Sequence, residues 1–209
     1  MKMTTDDVNN VYEDIATHFS NTRQYQWKWI SDFFSELKIN SVVYDLGCGN
    51  GRNMKTKGLE MYGIDNCTKF VEICNSQGLN VTNACITNLP FSNKSANAII
   101  CIAVFHHLFC YEQRLTALLE MKRVLKKGGI ILLSFWSINQ PLKTRRVFTH
   151  YGDTIVPWNK FGNIYNRYYY IFEIKEFETL VSSAGLKIKK HLYDCGNEIF
   201  FLEDPTIIQ

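Results

Sequence analysis

Residues 6–19 place Val8, Val11, Tyr12, Ile15 and Phe19 at intervals of three and four. That periodicity predicts an amphipathic helix with Thr5 or Asp6 as its N-cap. A second helix is predicted over about 25–37, where Trp29, Ile30, Phe33, Phe34 and Leu37 share one side. From there, apolar runs of strand length alternate with helical patterns. Strands are expected at 41–46, 60–64, 80–85, 97–104 and 130–135. Helical segments are expected after Gly51, near 68–77 and at 111–126, with Gly128-Gly129 turning the chain into the fifth strand. This alternation implies a parallel sheet covered on both faces. After Phe135 the pattern breaks. Residues 137–165 carry Pro141, Gly152, Pro157, Trp158 and Gly162 without a sustained period, and are expected to form an irregular insertion that meets the substrate. A helix at 174–184 follows. Strands at 187–193 and 198–202 close the chain as an antiparallel hairpin on the sheet edge.

The first strand carries the chemistry. Val42-Val43-Tyr44-Asp45-Leu46 runs into Gly47-Cys48-Gly49-Asn50-Gly51, an acid followed by GxGxG. Glycines at that spacing let the backbone turn tightly and approach a ligand without a Cβ between them. Asp65 closes the next apolar run about 20 residues on, where a ribose-binding carboxylate sits in a Rossmann-like crevice. A nicotinamide fingerprint fits poorly, because Arg52 occupies its third glycine position.

Bulk properties narrow the class. The 209 residues, 46% hydrophobic and 21% charged, suit one α/β domain over 1–209, with the helices of 1–38 lying over the ligand site. A net charge of +3 permits an anionic partner without requiring one. The seven cysteines are odd in number and form no CxxC pair, which argues against zinc and against a secreted disulfide framework. The longest apolar run, 98–105, is too short to span a bilayer, and the N-terminus lacks a signal-peptide core. A cytoplasmic protein is expected, with the nucleus left open, and no membrane partner.

The acid-GxGxG element resembles motif I of class I S-adenosylmethionine-dependent methyltransferases. Four further segments are similar to one branch of them: His18-Phe19-Ser20-Asn21-Thr22-Arg23, Ala103-Val104-Phe105-His106-His107, Val156-Pro157-Trp158 and Arg167-Tyr168-Tyr169. Together they resemble the eukaryotic tRNA wobble-uridine carboxymethyl methyltransferases, over nearly the whole chain. The resemblance implies a mostly parallel, seven-stranded Rossmann-like α/β sheet with an antiparallel C-terminal hairpin. It implies a site for S-adenosylmethionine from Tyr12, Asp45, Gly47, Cys48, Gly49, Asp65, Asn66, Cys85, Ile86 and Ala103. Two positions depart from the pattern: Cys85 stands where relatives carry an acid, and Asn66 where an arginine often follows the second acid. A thiol is a weak acceptor.

The implied reaction esterifies the carboxylate of a carboxymethyl-uridine in tRNA. A carboxylate of pKa roughly 4 is ionised at neutral pH, so no general base is needed. What is needed is a cation to hold it. Arg23 is the first candidate for a catalytic role, ahead of His18, His106 and Arg167; pairing of Arg23 with Glu13 or Asp14 is the alternative. Tyr12, Trp136, Trp158 and Tyr168 are either platforms for the uridine or core anchors. His106-His107 caps a helix or reaches the cofactor; no metal is expected there. Lys143, Arg145 and Arg146 are read as a phosphate-contacting patch. The resemblance also implies a heterodimer with a small zinc-binding activator subunit, and the 80–85 strand offers an edge for strand addition. Two other readings stay open. One is a quinone- or sterol-type methyltransferase, which would share Leu89-Pro90-Phe91 and Gly128-Gly129. The other is a non-catalytic protein, suggested by Cys85 and Asn66.

Overall fold

A computed structural model describes residues 5–144 and 146–207, without the side chains of residues 5–7, 9 and 207. The side chains of Thr5 and Asp6, the expected N-cap, and the whole of the expected phosphate contact Arg145 lie outside what is described. Helix α1 (Thr5–Thr22) and the shorter α2 (Lys28–Ser35) precede the sheet. Strands β1 (Ser41–Leu46), β2 (Leu59–Asp65), β3 (Val81–Asn83), β4 (Ala96–Ile102) and β5 (Leu125–Trp136) follow, with α3 (Thr68–Ser76) and α4 (Tyr111–Val124) between them. The segment after Gly51 is a 3-10 turn, Arg52–Met54. Then come β6 (Gly152–Lys160), β7 (Asn163–Ile171), α5 (Ile174–Ser183), β8 (Lys187–Asp194) and β9 (Asn197–Glu203).

Seven strands form one sheet in the order β3-β2-β1-β4-β5-β9-β8. The first five are parallel, and β9 and β8 run antiparallel as the terminal hairpin. Order reverses between β1 and β4, so a crevice opens at the carboxyl ends of those strands. Each face is sealed by its own apolar layer. Leu118, Met121, Phe177 and Leu180 pack one face through α4 and α5. Ile30, Phe33, Phe34 and Cys74 pack the other through α2 and α3. Helix α1 lies apart from both layers: Ala16, Tyr12 and Phe19 pack on Phe70 of α3, which carries the helix across the crevice.

Three expectations are corrected. Residues 137–165 are not irregular throughout, because β6 and β7 pair as a two-stranded antiparallel sheet from Gly152↔Ile171 to Lys160↔Asn163. Their turn, Phe161-Gly162, has both φ values positive (51° and 88°), as a two-residue hairpin loop requires. Pro157 is tolerated because β6 is an edge that donates no amide there. Second, Gly128-Gly129 is no turn before β5. The chain enters β5 at Leu125, and the ladder jumps from Ala96↔Leu125 to Ala98↔Ile130, leaving 126–129 as a bulge. Third, the second helix is eight residues long and leaves Tyr25 exposed before it.

Candidate active site

Gly47, Gly49 and Gly51 all have positive φ (73°, 54° and 70°), so the loop after β1 is left-handed at every second residue. A Cβ on Gly47 would lie 2.4 Å from Val104 Cγ2, and one on Gly51 2.4 Å from Leu79 Cδ1. One on Gly49 would meet nothing within 4 Å. The loop amides are directed inward. Gly47 and Cys48 N–H donate to Ile64 O (2.8 and 2.9 Å), Gly51 N–H to Cys48 O (3.0 Å) and Gly49 N–H to Asp65 Oδ2 (2.8 Å). With these four donors spent, the loop is built for close approach of a ligand more than as a phosphate cradle. Alanine at Gly47 is expected to cost folding stability through both strain and the Val104 clash. Alanine at Gly49 adds only the strain of about 1–2 kcal/mol and instead obstructs the ligand. Melting temperatures and cofactor Kd of the two variants check this; a larger thermal loss at Gly49 would contradict it.

Two buried carboxyls flank the loop. Asp65 accepts from Gly49 N–H and, through Oδ1, from Cys67 N–H (2.9 Å). Burial outweighs these bonds and raises its pKa to about 6. Burial raises Asp45 further, to about 7, against the opposing pull of Arg52. Asp45 Oδ2 is buried without a hydrogen-bond partner among the described residues.

The loop after β4 forms the opposite wall. Ala103 holds a φ of 58°, a left-handed position without glycine beside the ligand site. Trp136 N–H donates to His106 Nδ1 (3.1 Å), so the proton of neutral His106 sits on Nε2, which is buried without a partner. Burial and the neighbouring cations push His106 well below the ordinary histidine pKa. His107 has the other tautomer: Nδ1–H donates to Tyr168 O (2.7 Å), and Nε2 accepts from Tyr12 O–H (2.9 Å). Burial holds His107 down to about 4. This chain of bonds ties α1, the β4 loop and β7 into one wall.

These walls enclose a cavity of about 640 Å³. Of the residues expected at the cofactor, Tyr12, Gly47, Cys48, Gly49, Asp65, Asn66, Cys85, Ile86 and Ala103 line it, with Asp45 buried behind the glycine loop. The Cys85 thiol lies 3.1 Å from the Thr87 hydroxyl, and Thr87 also reaches the cavity.

The polar end is cationic. Arg23, Arg146 and Arg167 all line the cavity, and among the described residues none forms an ion pair with a carboxylate. Glu13, one alternative partner for Arg23, is instead engaged by the backbone of Thr68 and Lys69. Arg167 is 4% exposed; its Nη1 donates to Tyr169 O–H (2.7 Å), and its Nε has no partner. Arg146 lies 4.0 Å over the Trp136 ring, again with Nε buried and unpartnered. Burial lowers the pKa of both Arg23 and Arg146, and each is lowered further by the neighbouring guanidiniums. A cluster of like charges with orphaned donors is stabilised by an arriving anion.

Several expected platforms are placed elsewhere. Tyr168 points to the opposite face of β7 from Arg167, stacks on Phe109 (4.2 Å) and donates to Asp153 (2.6 Å). The strand period puts Tyr169 inward in its place, stacked on Trp136 at 4.2 Å. The ring of Trp136 is therefore engaged by Tyr169 and Arg146. Trp158 and His18 do not line the cavity: Trp158 Nε1–H donates to His18 Nδ1 (3.2 Å), clasping the hairpin to α1. The β8–β9 turn, with Asp194 and Cys195, also contributes to the wall, and no motif marked it. Lys122, Arg123 and Lys126 are engaged by Gly185 O, Glu120 and Asn97, in a structural role.

Among the described residues no group of histidine, cysteine and acidic side chains has the geometry to hold a metal, and no helix is long and apolar enough to cross a membrane. A family model described as "Methyltransferase domain" matches residues 44–133. The chain is 35% identical to the tRNA (carboxymethyluridine(34)-5-O)-methyltransferase of Schizosaccharomyces pombe, over 91% of this chain and 92% of that protein. It is 31% identical to the Xenopus tropicalis protein named tRNA (carboxymethyluridine(34)-5-O)-methyltransferase alkbh8, over 94% of this chain but 40% of that one. Among solved structures, an S-adenosylmethionine-dependent methyltransferase from Clostridium acetobutylicum superposes with a TM-score of 0.67 at 13% identity, covering 95% and 98% of the two chains. A Haloferax volcanii putative methyltransferase, solved with the Trm112 methyltransferase activator, gives 0.68 at 15% identity over 95% and 97%. These two show the fold, a class I methyltransferase sheet. The near-complete match to the fission yeast protein shows more: this chain belongs to the tRNA (carboxymethyluridine(34)-5-O)-methyltransferase family.

Proposed function

We infer that the protein methylates the carboxylate of 5-carboxymethyluridine at the tRNA wobble position, giving the methyl ester. S-adenosylmethionine supplies an electrophilic methyl group. The residues present fit that cofactor. Asp45 keeps a buried acceptor without a donor, as an ammonium group requires, and four of the glycine-loop amides are already bonded within the protein, which suits a ligand without a pyrophosphate. Asp65, with acceptor capacity beyond its bonds from the backbone of Gly49, Cys67 and Asn66, lines the cavity where a ribose would lie.

The observation that carries the substrate is the arginine cluster beside this cradle. A carboxylate entering it replaces like-charge repulsion with charge-assisted bonds. Arg167, deepest and rigidly held by Tyr169, grips the substrate carboxylate. Arg23 serves the carboxylate of the cofactor, because its backbone is pinned to the glycine loop by Asn50 Nδ2 (2.9 Å to Arg23 O). His106 donates from Nε2 and takes no proton, since its pKa lies far below neutrality. The substrate oxygen arrives already ionised, so the walls need only orient it and exclude water. A small neutral methyl acceptor would leave the cluster unpaired, which disfavours the quinone- or sterol-type reading.

A partner is part of the reading. β3 has only three residues, pairs on one side with β2, and leaves its other edge open. A small zinc-binding activator subunit adding a strand there is supported by that free edge and by the family. The test is transfer of labelled methyl from S-adenosylmethionine to tRNA bearing carboxymethyluridine, with the chain alone and co-expressed with the activator. A base-labile methyl ester on nucleoside 34, formed only or mainly with the activator, is expected. Cofactor binding without transfer in either sample would overturn the assignment of the acceptor.

A further inference from the structure

The cluster carries one more cation than the two carboxylates account for. With Arg167 on the substrate carboxylate and Arg23 on that of the cofactor, Arg146 remains without an anion. Arg52 is the cation that pulls on Asp45, whereas at Arg146 burial acts first and the charged groups acting on it are Tyr169, Arg23 and Arg167, with no carboxylate among them. Arg146 also differs in position. Arg167 is 4% exposed on β7, whereas Arg146 is half-buried on the segment before β6, so it is the more open to solvent. Its guanidinium carbon lies 4.0 Å over the Trp136 ring, and its Nε has no partner among the described residues. Lys143 lines the same cavity, is exposed, and among the described residues meets the weak Cys195 thiol contact at 3.6 Å and no carboxylate.

We propose that Arg146, with Lys143 at the rim, binds a phosphodiester flanking the target nucleotide inside the cavity mouth. The enzyme then reads one nucleotide at both ends, the carboxylate by Arg167 and the backbone by Arg146. A phosphodiester is the class of anion that fits, since it is always ionised and travels covalently with the base. A planar guanidinium with a free edge matches two of its oxygens. This rests on the methyl acceptor proposed above.

The test uses tRNA assembled by ligation, with carboxymethyluridine at position 34 and a neutral methylphosphonate at either the 5′ or the 3′ flanking linkage. Wild-type enzyme and Arg146→Met, each with its activator, are compared on all three substrates. One methylphosphonate is expected to lower kcat/KM roughly 10- to 100-fold, the range of one charged hydrogen-bond contact. Arg146→Met should lose a similar factor on the natural backbone and little more on the neutral one. Tolerance of both methylphosphonates within a few-fold would overturn the proposal, and so would losses that multiply. No transfer by wild-type enzyme to the unsubstituted tRNA would instead defeat the parent reading of the acceptor.

Discussion

Asp45→Asn is expected to raise the melting temperature of the ligand-free protein at pH 8 while weakening S-adenosylmethionine binding by at least about tenfold. Burial lifts the Asp45 pKa from its ordinary 3.8 to about 7 in the folded chain. The sign follows from linkage: a folded state that binds the proton more tightly is most stable below the unfolded pKa. That stability is lost as pH rises from about 4 through 7, and Asp65, raised to about 6, adds in the same direction. At pH 8 the apo protein therefore carries a buried charge that Arg52 offsets only in part and that asparagine removes. The resulting gain is roughly 2–4 °C for each kcal/mol recovered. Cofactor binding has the opposite dependence. An ammonium group needs the ionised carboxylate, so affinity should fall as pH drops below about 7. In Asp45→Asn that slope should flatten. Calorimetric Kd values at pH 6 and 8, with melting curves at the same pH, check both halves. An unchanged Kd, or a retained slope, would remove Asp45 from the cofactor site.

Arg167→Met should lower kcat/KM for tRNA by about a thousandfold, the scale of breaking one partner of a buried charge pair. Cofactor affinity should change little, because Arg23 and the glycine loop remain. The apo melting temperature should not fall, since methionine fills similar space without a buried, unpaired charge. Arg167→Lys should recover little of the rate. An ammonium lacks the planar fork that donates to Tyr169 while leaving further donors for a carboxylate. Transfer kinetics with a cofactor-dependent thermal shift on the same samples separate the outcomes. Equal losses in rate and cofactor affinity would mean that Arg167 serves the cofactor and not the acceptor.

The cradle was legible in the sequence because its constraints are local. An acid, three glycines at alternate positions and a second acid at the end of the next strand mark backbone geometry that few other residues allow. The sheet was legible for the same reason, since apolar strands and amphipathic helices announce themselves within a dozen residues. The substrate wall was not. Residues 152–171 read as a broken pattern because Ile155 and Pro157 face outward while Thr154, Val156 and Trp158 face in. Without that strand Tyr168 stood as a platform for the uridine. A strand of period two makes it Tyr169. The Trp136–Tyr169 stack and the wall from the β8–β9 turn join segments distant in sequence, and no local pattern encodes such meetings.

The glycine loop has a consequence for turnover. Four of its amides, those of Gly47, Cys48, Gly49 and Gly51, are bonded within the protein with no ligand in place. Spent cofactor can thus leave without baring any of these four donors. The slow event of a cycle then shifts to the other side of the cavity. There a bulky polynucleotide must withdraw from a cationic mouth after its carboxylate has become a neutral ester.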